Sequence, residues 1–432
     1  LSKIGDLDIV IICKKFEKKI VVNAKKQKKF LKVKKKKIKI NTSFGPIKFN
    51  PKKYLTIHLM IYDIKSHIDH TLKSPFTCYD WERSNWYKGE KLSNIFPVLS
   101  LQLRDFFEAR RNATEYLEDL KKNRISYRDY AFKNSDIYLK KKYFKINNQN
   151  RGEFVYHIIK NLILNYFKFF KNKNIKPKKE EVKKVFLNIT QNDKILWNKF
   201  LVLKFQKENL IHNYSTSVFF LANSFLKYYN RFLITEKKSY QNLMFIRHNK
   251  TRLNKNNIFL GQNQNPEILD KKKRKETFDL AFTSVLKRAI STAKLYNCNK
   301  ILKDKILNEI NYGKAEGMSF RDFKKKYSRI LMMWKTKKDF RFPSGENHKD
   351  VEKRVLMFLE KIKKFNQKRM LIVTHNVFLR CLLGHFLNIK KENYFKIKIK
   401  HMEKLHFVKK GKNITSNLKR SQISKILKGC HA

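Results

Sequence analysis

An α/β fold is what this sequence predicts for its C-terminal part: a three-layer sandwich with a mostly parallel sheet, preceded by a mixed α/β and then helical N-terminal region. Three observations carry the prediction. Apolar runs of strand length stand at residues 243–246, 278–282 and 370–373, each leads straight into polar residues carrying Arg or His, and helix-compatible stretches follow the second and third. Strands that alternate with helices make parallel sheets, whose chemistry gathers where the chain leaves the carboxyl ends of the strands.

At 432 residues the chain exceeds what one core usually supports, so two parts are expected, 1–238 and 239–432. Hydrophobic residues at 42% and aromatics at 13% are ample for packed cores and exclude disorder throughout. The formal charge of +64 would ordinarily point to nucleic acid or anionic lipid. The excess is mostly Lys spread along the whole chain, which reads as compositional bias. Five separated cysteines without a CxxC pair suggest a reducing compartment and no metal cluster. No run is apolar and long enough to span a bilayer, so a cytoplasmic location is expected. The start at Leu1, entering a strand-like run almost at once, suggests that a piece precedes it.

Along the N-terminal part, residues 8–13 read as a strand, 16–29 as a helix and 30–33 as a second strand, the end of a βαβ unit. Residues 38–40 and 47–49 flank Ser43-Phe44-Gly45-Pro46 and predict a hairpin. Helical spacing recurs over 101–122 and 154–170. A charged connector follows at 171–180, and helix resumes from 181 to about 233. Residues 235–239 are polar and unpatterned, and mark the boundary. His67 and His70 share a helix face with flanking carboxylates, a pattern that suits a metal but more often belongs to structural histidines.

Beyond the boundary the motifs become specific. The first strand runs into Arg247-His248-Asn249-Lys250-Thr251, with Asn254 and Phe259-Leu260-Gly261 behind it. The second runs into Thr283-Ser284, with Ser284 as a cap, and delivers Arg288. Residues 307–317 carry Leu307, Glu309, Gly313, Glu316 and Gly317. Pro343, Gly345, Glu346, Asn347, Asp350 and Arg354 precede the third strand, which ends in Thr374-His375-Asn376. In this order these elements closely resemble the histidine phosphatase superfamily, in its phosphoglycerate mutase-like branch, over about residues 241–408.

The resemblance implies a histidine acid-type phosphatase, and the chemistry of the residues agrees. Guanidinium forks suit phosphoryl oxygens, which makes Arg247 and Arg288 the expected clamps, with Asn254 and Thr251 also binding substrate. His248 is the expected nucleophile, passing through a phosphohistidine. With substrate bound, His375 would be cationic or a hydrogen-bond donor toward the transferring group. Glu309 would protonate the leaving oxygen and then activate water, with Glu316 as the fallback acid. No metal or cofactor is implied. Asn249, Lys250 and Asn376 depart from the family's two glycines and its acidic residue. Asn tolerates left-handed backbone, which would preserve both turns, whereas Lys250 adds charge that suits a polyanion or marks lost turnover. Asn347 replaces a serine of the phosphate pocket. Short spacings at 293–307 and 317–343 leave little room for a large lid and favour hydrolysis over mutase chemistry.

The expected function is hydrolysis of a small phosphorylated metabolite. A catalytically silent phosphate-binding or scaffold module is the second reading. A nucleic-acid or anionic-membrane binder, resting on charge alone, is the third.

Overall fold

The computed structural model describes residues 7–26, 32–33, 36–45, 54–82, 89, 100–133, 136–146, 148–171, 177–209, 217–255, 258–335 and 339–431. Contacts divide the chain into two units, one of Leu1–Asn85 with Leu103–Thr235, the other of Trp86–Gln102 with Glu236–Ala432. Among the described residues no helix is long and apolar enough to cross a membrane.

In the first unit, β1 (Leu7–Cys13), α1 (Lys18–Lys26), β2 (Lys32–Val33), β3 (Lys36–Asn41) and β4 (Tyr54–Asp63) form a four-stranded sheet in the order β1-β4-β3-β2. β1 and β3 both pair in parallel with β4, but β2, expected to close a βαβ unit with β1, lies at the opposite edge antiparallel to β3, since strands only two residues apart in sequence pair antiparallel. The expected hairpin at 38–49 is corrected in part. Its first arm lies parallel to β4, with Ile38 opposite Leu55, and turns back on β2 instead; residues 46–50 fall outside the described set. A Gly-Pro pair signals a turn, but β-branched arms pair with whichever strand buries them best. Then come α2 (Ile64–Lys73), α3 (Pro75–Glu82), α4 (Leu103–Lys121) and an antiparallel pair, β5 (Arg124–Lys133) and β6 (Asp136–Lys145), whose lysine-rich alternation had given no strand reading. Helices α5 (Asn148–Phe170), α6 (Lys179–Ile189), α7 (Lys194–Glu208) and α8 (Ser217–Ser239) pack through Phe186, Phe200 and Phe225. Thr235 to Ser239, expected as an unpatterned linker, are the last turn of α8.

His67 and His70 lie on α2 against aromatic rings, His70 stacked 5.0 Å from Tyr62 and 4.9 Å from Trp81. Burial pushes them down to about 4 and about 3 respectively, so both are neutral packing groups. Among the described residues no cluster of three or more His, Cys, Asp or Glu could hold a metal.

The second unit contains β7 (Gln241–Arg247), α9 (Arg252–Lys255), β8 (Thr277–Phe278), β9 (Leu280–Thr283), α10 (Lys287–Ala293), β10 (Asn297–Cys298), β11 (Ile301–Lys303), α11 (Phe320–Lys326), α12 (Ser328–Lys335), α13 (His348–Ile362), β12 (Arg369–Thr374), α14 (Asn376–Phe386), β13 (Lys404–Lys410), β14 (Asn413–Ser416) and α15 (Arg420–His431). Its six-stranded sheet has the order β11-β9-β12-β7-β13-β14. The first four strands are parallel, while β13 and β14 are antiparallel additions at one edge. Side chains alternate across the sheet with period two. Met244, Ile246, Ala281, Leu371 and Val373 pack on Ala289 and Ala293 of α10. On the other face Phe245 and Phe282 meet Phe358 of α13, which in turn meets Phe378 of α14. Helices on both faces make the three layers that the sequence predicts, and strands buried on both sides explain the uninterrupted apolar runs.

Close packing reaches α14 itself, where a β-carbon on Gly384 would lie 2.0 Å from the Tyr394 ring. Tyr394 is buried and its hydroxyl holds Glu352 at 3.1 Å, so the ring cannot swing aside. Gly384→Ala should therefore destabilise the domain by about 1–3 kcal/mol. Denaturant unfolding followed by tryptophan fluorescence reads this, and an unchanged midpoint would contradict the packing.

Candidate active site

Parallel pairing places the site. β7 and β12 are neighbours with Arg247 opposite Thr374, and β12 and β9 are neighbours with Val373 opposite Thr283. His248, His375 and Ser284 each follow one of those strand ends, so they share one carboxyl edge of the sheet. Adjacent strands lie about 4.8 Å apart. The His248 and His375 ring centroids are correspondingly 5.0 Å apart, although 126 residues of chain separate them.

His248 is 3% exposed, and its Nδ1 lies 2.6 Å from the Asn249 carbonyl oxygen. A carbonyl only accepts, so Nδ1 carries the proton and Nε2 keeps its lone pair. Burial holds this imidazole well below its ordinary pKa, and the charges of Arg288 and Arg247 add to the effect. His375 is fully buried with Nε2 2.7 Å from Ser284 Oγ, and burial and Arg288 depress it likewise. Among guanidinium groups alone the ring is neutral; the expected cation or donor belongs to the substrate-bound site. A phosphate dianion brought between the arginines would reverse the sign of that field and favour the protonated ring.

The arginines are tethered on one side. Arg288 donates from Nη1 to the Gln264 carbonyl at 3.0 Å and from Nη2 to that of Gly261 at 2.7 Å, while Arg247 Nη1 donates to the Ile399 carbonyl at 2.7 Å. Three buried nitrogens, Arg247 Nε, Arg288 Nε and His375 Nδ1, have no hydrogen-bond partner among the described residues. Buried polar nitrogens are costly unless something meets them. Glu316 Oε1 accepts from the backbone N–H groups of Asn263 and Gln264 at 2.7 and 2.9 Å, which props the loop that holds Arg288, while its Oε2 is buried without a hydrogen-bond partner among the described residues.

Glu309 is 4% exposed and sits at the N-terminus of α14. Its Oε1 accepts from Ile310 and Val377 N–H and its Oε2 from Asn376 N–H, all at 3.0 Å. The α14 N-cap residue, His375, makes no side-chain cap, so the distant carboxylate satisfies the orphan donors of that helix. Two lone pairs on each oxygen leave Oε1 saturated and Oε2 with one position open for a proton.

Thr251 and Asn254 come together with each other: Thr251 donates to Asn254 Oδ1 from N at 3.1 Å and from Oγ1 at 2.9 Å, closing the turn before α9. The departures have local explanations. Neither Asn249 nor Asn376 adopts positive φ, so left-handed tolerance is not what accommodates them. Asn249 donates from Nδ2 to the Asp270 carbonyl, accepts at Oδ1 from Lys250 N–H and donates its N–H to Thr292 Oγ1, while Asn376 is simply the first residue of α14. The Lys250 side chain is exposed. Asn347 caps α13 through Asp350 N–H, a role serine also fills. Ser284 is not the cap of α10; Leu286 occupies that position and Ser284 meets His375 instead.

Three neighbours escaped the sequence reading. His401 sits 5.2 Å from the His248 ring with Nδ1 2.9 Å from the His248 carbonyl oxygen, and burial pushes it down to about 4. Arg380 on α14 bonds the Ile397 carbonyl, and its charge bears on Arg247. A lone arginine inside an apolar helix was the available signal. Tyr312 is half-buried near Glu309, Arg380 and Arg247, and desolvation raises its pKa.

A doubly covered parallel sheet with two imidazoles and two guanidinium groups at its carboxyl edge defines a class of phosphate-handling domains. The sequence profile of the histidine phosphatase superfamily (branch 1) matches residues 243–417. The 2,3-bisphosphoglycerate-dependent phosphoglycerate mutase of Cytophaga hutchinsonii is 31% identical over 169 residues, covering 35% of this chain and 79% of the mutase. Fructose-2,6-bisphosphatase of Saccharomyces cerevisiae is 35% identical over 115 residues, 26% of this chain and 24% of that protein. The chain thus spans only about a quarter of the yeast relative's length. The solved alpha-ribazole phosphatase of Shigella flexneri is 20% identical with a TM-score of 0.37, covering 42% of this chain and 97% of that one. The chain belongs to the histidine phosphatase superfamily.

Both site histidines are neutral when folded and take protons below about pH 6.5 when unfolded. The unfolded state then binds more protons, so stability falls as pH drops through 6.5, by up to about 1.4 kcal/mol per pH unit for each ring. Denaturant midpoints should decline from pH 7.5 to 5, and less steeply in His375→Gln. Equal slopes would argue against a buried neutral ring.

Proposed function

We propose that the C-terminal unit hydrolyses a phosphomonoester of a small metabolite through a phosphohistidine at His248. The observation that carries this reading is the set of buried nitrogens without partners, Arg247 Nε, Arg288 Nε and His375 Nδ1, around a histidine whose tautomer leaves Nε2 nucleophilic. Such an arrangement is expensive unless an anion with several oxygens completes it.

The Nε2 lone pair of His248 attacks phosphorus and the ester P–O bond breaks as the P–N bond forms. Arg247 and Arg288 neutralise the equatorial oxygens, and His375 donates to one of them as charge grows there. Glu309 releases its proton from Oε2 to the departing alkoxide, and an alcohol leaves. Water then attacks phosphorus, gives its proton to the same carboxylate, and the P–N bond breaks to inorganic phosphate and neutral His248. The Nδ1–H bond to the Asn249 carbonyl persists through both steps and supports the positive phosphorylated ring. Thr251 and Asn254 act on substrate indirectly, by shaping the turn behind His248.

Between Gly317 and Pro343 the described residues form only the short helices α11 and α12. That supports an open mouth reached by water and hence hydrolysis over mutase transfer. The phosphorylated sugars and glycerates in the names of the relatives suggest the substrate class.

His248→Ala should lose the acid-quenched phosphoenzyme and reduce phosphate release at least about a thousandfold. A screen of phosphorylated metabolites with release of inorganic phosphate checks it; unchanged turnover in the variant would remove His248 as nucleophile.

A further inference from the structure

Arg354 on α13 has five N–H donors, and the structure uses every one. Nε and Nη2 grip the two carboxylate oxygens of Glu346 at 3.0 and 2.8 Å. Nη1 donates to the carbonyls of Ile306 and Asn308, both at 2.8 Å, and Nη2 to that of Glu309 at 3.4 Å. Glu346 in turn accepts the Asn311 N–H at 2.8 Å. The backbone from 306 to 311 is thus tied at four points to one half-buried ion pair, and Glu309 is the titratable residue within it. Thr374 Oγ1 adds a bond to the Leu307 carbonyl at 2.6 Å from the end of β12.

We propose that Arg354, together with Glu346, is a positioning residue that holds the proton-bearing Oε2 of Glu309 toward the leaving oxygen, with no contact of its own to substrate. The proposal rests on the phosphatase reading above. Full use of its donors keeps Arg354 out of phosphate binding, which is left to Arg247 and Arg288. Lysine could not replace it, because a single ammonium cannot span a carboxylate fork and three carbonyls. Glu309 is held from two sides, its carboxylate by the first N–H groups of α14 and its backbone by Arg354. Loosening one side lets the carboxylate follow the helix while its open oxygen turns away from the ester.

In the phosphorylation step a misplaced acid matters only when the leaving group needs a proton, whereas the later attack of water needs the same carboxylate whatever alcohol has left, so the readout is the single-turnover rate of phosphoenzyme formation. Phosphoenzyme formation from glycerol phosphate, whose alkoxide is a poor leaving group, is compared with that from p-nitrophenyl phosphate, whose phenolate departs unaided. Arg354→Lys should slow phosphoenzyme formation from glycerol phosphate about 30- to 100-fold and from p-nitrophenyl phosphate by less than about threefold. Glu309→Gln should show the same selectivity in that step and lose breakdown of the phosphoenzyme with both substrates, and Glu346→Gln a smaller version of the selectivity. Equal losses on both substrates would overturn the positioning role while leaving the phosphatase reading intact. Failure of both Arg354→Lys and Glu346→Gln to fold, judged by circular dichroism, would also overturn it, because the pair would then be holding the domain and not the acid. If the unsubstituted protein turns over neither substrate and forms no phosphoenzyme, both readings fall together.

Discussion

The parallel pairing of β7 with β12 is the constraint on which the site depends. With Arg247 opposite Thr374, the two strands end level, and the residues that follow them leave the sheet side by side. Backbone hydrogen bonding sets strand spacing within tenths of an ångström, so an imidazole from each strand end arrives at about one ring's distance from the other. A slip of β7 by one residue would turn Met244 and Ile246 to the opposite face and dismantle the packing on α10 as well as the histidine pair. Core packing and site geometry are therefore enforced by one register.

Around that edge, groups are held by partners that are themselves backbone atoms. Carbonyls tether the arginines, a carbonyl sets the His248 tautomer, and the first two N–H groups of α14 together with that of Ile310 hold the Glu309 carboxylate. Backbone partners belong to packed elements and move little, so the charged side chains are organised in advance of any anion. The cost is borne locally. Arginines and imidazoles are desolvated together, the rings are kept neutral, and three nitrogens are left unpartnered in the interior.

The departures from the family's pattern fall where the backbone does not need what was replaced. Asn249 and Asn376 occupy ordinary φ, so a glycine there would relieve no strain, and hydrogen bonds from the Asn249 side chain stitch its turn to the Asp270 carbonyl. Glycine is demanded elsewhere. A β-carbon at Gly261 would stand 2.8 Å from Glu316 Oε2, and Gly313 combines φ of 53° with the Pro343 carbonyl oxygen 2.1 Å from where a β-carbon would be. Those two positions lie in the loops that present Arg288 and Glu309, Gly261 against the Glu316 and Tyr312 side chains and Gly313 against backbone in a left-handed turn, so close approach and turn shape together limit substitution there.

Much of this was legible in the chain itself. Three apolar runs that end in Arg-His, Thr-Ser and Thr-His name the strands, their burial on both faces and the residues at their ends, because period and punctuation are local properties. The N-terminal hairpin, the linker at 235–239, the β5–β6 pair and the cap assigned to Ser284 were misread or missed for the complementary reason. Strand partners, helix length and hydroxyl partners depend on what packs alongside. Local sequence could likewise mark Glu309 and Arg354 as charged residues within recognisable motifs. Only the tertiary structure decided that the carboxylate of one caps a helix 67 residues further on and that the guanidinium of the other spends all five donors behind it, since long-range hydrogen bonds exist only once the chain has folded.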